Sequence, residues 1–372
     1  MLSGLEGFIT LDLGSIAQVI VLGFIGGVLS GFIGSGGAFF MTPGMMNLGV
    51  PGVIAVGSNI THKFGKALVG SRRHCELGNV DHRLAVFMIA TSFVGIQFAV
   101  WINTWLFHAG GGGHGESAGA AGDLYISVVF VSVLSIVGAS VLAEVWRTLK
   151  GRDSGGSKLA ALLSRLNLPP VIHFRVSETR VSLWLILVVG LAVGYMAGTI
   201  GVGGFLGVPA MIYLFGVPTA VAAGTELYLA MFMGGWGCLN YAWQGMVDIR
   251  LTLLLYAGSL IGIFVGAYGT KIVRQVMIRL VTAVVILVCV LSRAVAIPVY
   301  LRQLGMVSYD AGVDVYLNAG SKALLFAAGI GGLAMILTLV VKAHRQRLAV
   351  QAAISRARAS APVTGAGAVP SR

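Results

Sequence analysis

The chain has 372 residues, 57% of them hydrophobic and only 10% charged, whereas soluble domains carry about 25% charged residues. That balance excludes a water-soluble fold, and the net charge of +12 sits in short loops and the tail, where it reads as a topology signal and not as a nucleic-acid surface. The three cysteines, Cys75, Cys238 and Cys289, lack CxxC spacing, so neither a disulfide framework nor a metal site is expected.

Taken in chain order, the N-terminal stretch carries Glu6 and Asp12 and no Lys or Arg before Ile16. It lacks the basic region of a cleavable signal, so the first hydrophobic segment should stay in the mature protein. That segment, Ile16 to Leu48, is broken near its middle by Gly34-Ser35-Gly36-Gly37. Gly52 to Gly70, Leu84 to Phe107 and Leu124 to Trp146 follow. Each approaches the roughly 20 helical residues that cross a ~30 Å hydrocarbon core. Gly110 to Gly122 (GGGGHGESAGAAG) reads as a flexible loop.

The apolar pattern stops between Arg147 and Arg180, which holds Gly155-Gly156, Pro169-Pro170 and a run of basic residues. This is the expected cytoplasmic linker, within which Leu159 to Leu168 is either a weakly amphipathic surface segment or disordered. Beyond it Val181 to Phe215 is broken by Gly201-Val202-Gly203-Gly204, and Leu251 to Gly269 and Ala319 to Val341 are further apolar runs. The tail after Lys342, with Arg345, Arg347, Arg356 and Arg358, reads as a basic, partly disordered extension. The expected organisation is a first membrane repeat (1–146), a linker (147–180), a second membrane repeat (181–300), an extra loop and C-terminal helix (301–342) and a basic cytoplasmic tail (343–372).

The repeat rests on one constant offset. Shifting the sequence by 167 positions brings GVLSGFIGSGG (Gly27 to Gly37) onto GYMAGTIGVGG (Gly194 to Gly204) with six of eleven residues identical. The register also superposes Gly49, Val50 and Pro51 on Gly216, Val217 and Pro218, and Gly78, Val80, Asp81 and Arg83 on Gly245, Val247, Asp248 and Arg250. A duplication is the simplest source of such an offset.

Equivalent loops differ in charge. Ser71 to Arg83 holds Arg72, Arg73 and Arg83, while Tyr241 to Arg250 holds only Arg250; His108 to Asp123 holds no Lys or Arg, while the stretch from Gly269 to Arg279 holds Lys271, Arg274 and Arg279. By the positive-inside bias the two halves face opposite ways. Inversion needs an odd number of crossings between equivalent points, which follows if each glycine-broken segment is a hairpin of two short helices entering and leaving on one side. A single tilted helix in its place would put the basic tail outside. The expected fold is therefore all-α and integral to the membrane: two inverted repeats, each a glycine-broken hairpin plus about three spanning helices, and one extra C-terminal helix. The N-terminus is expected outside and the C-terminus inside.

A helix N-terminus leaves unpaired N–H groups and about half a positive charge, which favours anions. The turns at Gly34, Ser35, Gly36 and Gly37 and at Gly201, Val202, Gly203 and Gly204 are thus candidate anion-binding backbone, although glycines there could instead serve tight helix crossing. Asn59, His62, Lys63 and Lys66 share one helix face. Lys63 would lie ~16 Å into the membrane at 1.5 Å per residue, where a charge needs a partner or a wet cavity. Lys66 is either a second such charge or a snorkelling side chain.

Glu226 falls on the repeat position of Asn59, and Thr225 on that of Ser58. Ser58, Asn59, His62, Lys63 and Thr225 are candidate substrate ligands. Glu226 is either a structural ion-pair partner of Lys63 or the residue that couples proton movement to anion passage. Asp81 and Asp248 read as helix N-caps. His108, His114 and Glu116 lack metal-ligand spacing, and no GxSxG, Walker A or dinucleotide fingerprint stands in a suitable context, so neither enzyme chemistry nor a cofactor is expected.

The duplicated GxxGxGG turn, the small-residue helix after each GVP (VGSN and AAGTE) and the turns GNVDHR and GMVDIR resemble the TauE/SafE family of membrane permeases, the sulfite exporters. The resemblance covers about Gly23 to Val100 and Gly190 to Ile272. It implies transport of sulfite, sulfonates, sulfoacetate or related small anions across a bacterial inner membrane, with the solute and the bilayer as partners and a homodimer left open. A passive anion channel and a non-transporting sensor or assembly subunit are the alternatives.

Overall fold

The computed structural model describes residues 12–33, 37–109, 119–151, 168–270 and 272–360. Among them the order is α1 (Leu13–Ile33), α2 (Ala38–Asn47), α3 (Gly52–Glu76), α4 (His82–Ala109), α5 (Ala120–Leu149), β1 (Val171–Phe174), β2 (Thr179–Ser182), α6 (Leu183–Ile200), α7 (Gly204–Tyr213), α8 (Thr219–Trp243), α9 (Ile249–Thr270), α10 (Gln275–Gln303) and α11 (Gly312–Ser360). Seven of these helices, α1, α4, α5, α6, α9, α10 and α11, are long and apolar enough to cross a membrane. The helices α3 and α8, 25 residues each, have the length but carry more polar groups. By contrast α2 and α7 have 10 residues each, about 15 Å or half a bilayer.

Helix starts follow the 167-residue offset, with α3 at Gly52 and α8 at Thr219, and α4 at His82 and α9 at Ile249. Two pairs of the repeated glycines are required by the backbone. Gly49 (φ +90°) and Gly216 (φ +73°) end the half-helix turns, and Gly78 (φ +70°) and Gly245 (φ +71°) turn the chain between the long helices that follow. All four lie in the left-handed region that costs a side chain about 1–2 kcal/mol.

The halves interlock by exchange, since α1 lies along α9 and α6 lies along α4. Gly23, Gly27 and Gly31 face the backbone of Leu255, Ser259 and Ile263 in turn, and Gly190, Gly194 and Gly198 face Met88, Ser92 and Ile96. Numbers rise together along both seams, so each pair of helices runs parallel. The contacts leave no room for a Cβ, which is how membrane helices gain close van der Waals packing without a hydrophobic driving force. Gly27, Gly31, Gly194 and Gly198 of the repeated motif therefore serve helix crossing. An antiparallel pair, α5 with α10, is joined by Arg279 Nη1 on Glu144 Oε1 at 2.5 Å, and α11 packs along α10.

Three expectations change. Residues 171–182 of the linker form a two-stranded antiparallel hairpin, Val171 facing Ser182 and Phe174 facing Thr179. It is docked, with Phe174 fully buried and Asp81 Oδ2 accepting from the Ser177 N–H at 3.1 Å and hydroxyl at 2.8 Å. The last helix begins at Gly312, earlier than Ala319, and runs to Ser360, so the basic tail is helical over much of its length. Finally, the first arms of the glycine-broken segments are not short: α1 has 21 residues and α6 has 18. The Gly110 to Gly122 loop up to residue 118, and the Leu159 to Leu168 segment up to residue 167, lie outside the described residues.

Candidate functional site in the broken helices

The site grows out of the break between α6 and α7. The last carbonyls of a helix have no intrahelical donors, and hydrocarbon supplies no water to replace them. Here side chains from three other helices do so. Asn103 Nδ2 of α4 donates to Thr199 O at 3.2 Å and Gly198 O at 3.4 Å, Tyr241 OH of α8 donates to Gly198 O at 2.8 Å, and Thr42 Oγ1 of α2 donates to Ile200 O at 3.2 Å. Gly201 then turns the chain at φ +78°.

Past that turn the polarity reverses. Leu206 N and Gly207 N donate to Gly203 O, but the amides of Val202, Gly203, Gly204 and Phe205 have no acceptor among the described residues. They form the positive end of α7, in a fully buried turn.

In the first half Gly34, Ser35 and Gly36 lie outside the described residues. Gly37 is buried against the backbone of Gly26 in α1. From there α2 runs back along α1, placing Met41 beside Gly26 and Gly44 beside Leu22. The two half-helices meet through Phe39 and Phe205, whose rings pack edge to face at 4.9 Å between centroids, and the Thr42 to Ile200 hydrogen bond ties α2 to the end of α6.

Beside the break lies a cavity of about 10 Å³ lined by Lys63, Gly201, Ala197, Ile60, Ala230 and Met233. That is room for about one water, so the described state is closed. Lys63 is half-buried and is the charge that acts on Glu226. Glu226 is 5% exposed; Oε1 and Oε2 both lack a hydrogen-bond partner, and Oε2 rests against Gly207 in the first turn of α7. Among the described residues no ion pair joins Glu226 to Lys63 within 4.0 Å. Asn59, fully buried one turn before Lys63, donates to Thr42 Oγ1 at 2.7 Å and Ala38 O at 3.2 Å, leaving Oδ1 without a partner.

The other predicted ligands face elsewhere. Ser58 Oγ accepts from Asp248 N at 3.0 Å and Thr225 Oγ1 accepts from Asp81 N at 3.0 Å, a reciprocal pair that ties each half to the turn of the other. Asp81 Oδ1 accepts from Leu84 N at 3.1 Å, and Asp248 Oδ1 from Arg250 N at 2.9 Å. His62 Nε2 pairs with Ser259 Oγ at 2.7 Å, and its ring packs on Tyr256, so it belongs to the α3–α9 contact. Lys66 is not among the cavity-lining residues. Thr225→Val should leave the Asp81 N–H unpaired and destabilise the fold by about 1–3 kcal/mol, read as a lowered melting temperature in detergent with anion binding retained.

Arg293, Asn103 and Tyr241 are site-shaping residues that the sequence reading missed. Arg293 is 1% exposed and donates to Asn47 Oδ1 at 2.8 Å, Tyr300 OH at 2.7 Å and Ser127 Oγ at 3.2 Å. It holds the last residue of α2, where the negative end of the helix dipole favours a cation. The far end of α7 is held in parallel fashion: Tyr213 OH donates to Glu144 at 2.9 Å, and Glu144 pairs with Arg279. Both half-helices are thereby tethered to the α5–α10 pair. An arginine inside an apolar run, ILVCVLSRAVAIPVY, was the available signal.

Comparison with known proteins agrees with the architecture. The family model described as sulfite exporter TauE/SafE matches residues 19–293, from α1 into α10. The probable membrane transporter protein YjnA of Bacillus subtilis (strain 168) is 26% identical over 68% of this chain and 89% of its own length. YdhB, a probable membrane transporter protein of the same organism, is 23% identical over 70% of this chain and 93% of its own. No solved structure matches the chain. With both halves inside the match, this multi-pass membrane protein belongs to the TauE/SafE sulfite exporter family.

Proposed function

We propose that the protein is a secondary carrier of small anions, sulfur oxyanions or organosulfonates, built from two oppositely oriented halves in a bacterial inner membrane with its C-terminus in the cytoplasm. The observation that carries this reading is the α6–α7 break, where Lys63 and Gly201 line one closed cavity, the turn into α7 carries amides with no backbone acceptor, and a partnerless Glu226 carboxylate lies against Gly207. Amides and an ammonium group attract an anion in a medium that screens charge poorly.

The helix directions support the inversion. In each half the hairpin returns to its starting side and two crossings follow, so α1 and α4 run in opposite directions. Because α1 runs parallel to α9, the copy of α4, the two copies point opposite ways. Broken helices at the interface of inverted halves are the usual place for a carrier site.

Glu226 is the candidate for coupling. A carboxylate with no hydrogen bond at membrane depth is costly as a structural element and useful as a proton acceptor. In proteoliposomes a proton gradient should drive sulfite accumulation by the native protein. In Glu226→Gln, accumulation should disappear while anion exchange at equal concentrations persists. Gradient-driven accumulation by that variant overturns the coupling role, and flux that only dissipates gradients in the native protein identifies a channel.

A further inference from the structure

We infer that α11 carries a binding site for one anionic phospholipid, with the headgroup phosphate held by Lys342 and Arg345 and an acyl chain lying along the apolar face that leads up to them. The site stands apart from the broken helices and does not depend on the carrier reading.

The neighbouring helix fixes where the membrane ends on α11. The apolar helix α9 stops at Thr270, and that end is held against α11 at two places. A Cβ on Gly269 would lie 3.1 Å from Val340, and Tyr268 OH pairs with His344 Nδ1 at 3.1 Å. The hydrocarbon boundary therefore falls close to Val340 and His344. No charged residue stands between Lys322 and Lys342, so Lys342 and Arg345 open the polar end of the helix.

One side of α11 is taken up by protein. Leu325, Ala328 and Ile336 are buried, and Gly332 lies against Val285 of α10 and Leu29 of α1. The opposite side is open: Gly331, Ala334, Thr338 and Lys342 are all exposed, and their spacing places them in one stripe. Three small residues thus leave a furrow that runs to Lys342. At its end Leu337, Thr338, Val341, Lys342, Arg345 and Gln346 line a single open groove.

The two ends of that groove differ in chemistry. Lys342 and Arg345 are exposed, and none of the ion pairs among the described residues involves either. No Asp or Glu follows Asp314 in the chain. Like charges three residues apart on a helix are neighbours and repel, and a phosphate between them removes that cost. Leu337 lies five residues before Lys342, about 7.5 Å deeper at 1.5 Å per residue. A free phosphate cannot use that depth, whereas a lipid chain fills it. A zwitterionic lipid brings its own cation to the headgroup, which leaves less attraction for the two side chains. Basic residues just beyond a membrane helix attract anionic lipids in this way.

The test uses the full chain purified in detergent and native mass spectrometry to measure dissociation constants for phosphatidylglycerol, phosphatidylcholine with the same chains, and inorganic phosphate. Phosphatidylglycerol should bind at least tenfold more tightly than phosphatidylcholine, and inorganic phosphate should leave no adduct. Each basic side chain beside an anionic lipid contributes about fivefold, so Lys342→Gln with Arg345→Gln should weaken phosphatidylglycerol about thirtyfold. The exposed pair Arg72 and Arg73 provides the control, because Arg72→Gln with Arg73→Gln removes the same charge from the end of α3 and should change the affinity less than twofold. Equal losses in the two double variants, or equal affinity for the two lipids, overturn the site and leave only the general attraction of a basic protein for anionic lipid. Phosphate binding as tight as phosphatidylglycerol overturns the lipid as its occupant.

Discussion

Lys63→Met should abolish saturable anion flux in proteoliposomes while the protein still assembles in the membrane. Lys63 is the fixed cation of the cavity wall, and no other charged side chain lines that space. Truncating one member of a buried charge interaction costs about 2–5 kcal/mol, so anion affinity should fall roughly 30-fold or more. Lys63→Arg keeps the charge and should retain measurable binding. Lys66→Met, one turn away and off the cavity, should have a much smaller effect. The substitution also leaves Glu226 without its facing charge. Lys63→Met combined with Glu226→Gln should therefore be thermally more stable than Lys63→Met alone, a non-additivity expected only for groups that interact. Unchanged sulfite affinity in Lys63→Met would remove the cation from the site.

The 167-residue offset was legible in the sequence because it falls on residues that backbone geometry demands. Gly49, Gly78, Gly216 and Gly245 survive in both halves at positive φ, and the offset they mark also sets where α3, α4, α8 and α9 begin. The two roles of the motif glycines were not separable in advance. Gly27, Gly31, Gly194 and Gly198 form helix seams, while Gly201 makes the break, and only the partner helix distinguishes them. Lys63 and Glu226 were legible because a charge in an apolar run is costly wherever it falls.

What stayed hidden depends on long-range contacts. Asn103 and Tyr241 are ordinary polar residues in sequence; their importance lies in reaching the terminal carbonyls of α6 from 95 and 43 positions away. Ser58 and Thr225 are paired by the offset, but their hydroxyls answer the amides of Asp248 and Asp81 across the interface between halves, contacts that no local pattern announces. The hairpin at 171–182 did leave a trace in the β-branched residues Val171, Ile172, Thr179 and Val181 around a turn at Glu178, whose φ is +51°. The surrounding basic linker masked it.

Gly201→Val should leave the bundle assembled and transport undetectable. Gly201 sits at φ +78°, where an L residue costs about 1–2 kcal/mol and a β-branched one more. A Cβ there would lie 3.1 Å from Asn59 Nδ2 and 3.2 Å from Thr42 Oγ1, pressing on Thr42, which joins α2 to the end of α6, and on Asn59, which holds Thr42 from α3. The branched methyl groups would also project into the cavity wall that Gly201 shares with Lys63, a space of about one water that has to open for an anion. Gly201→Ala carries the backbone strain with little of the obstruction, so it should transport slowly and not at all like the valine form. Tm and flux together separate the two costs: strain lowers Tm in both variants, more in the valine form, whereas blocking of the site removes flux in Gly201→Val alone. Native flux in the valine variant would show that the anion path does not pass the α6–α7 break.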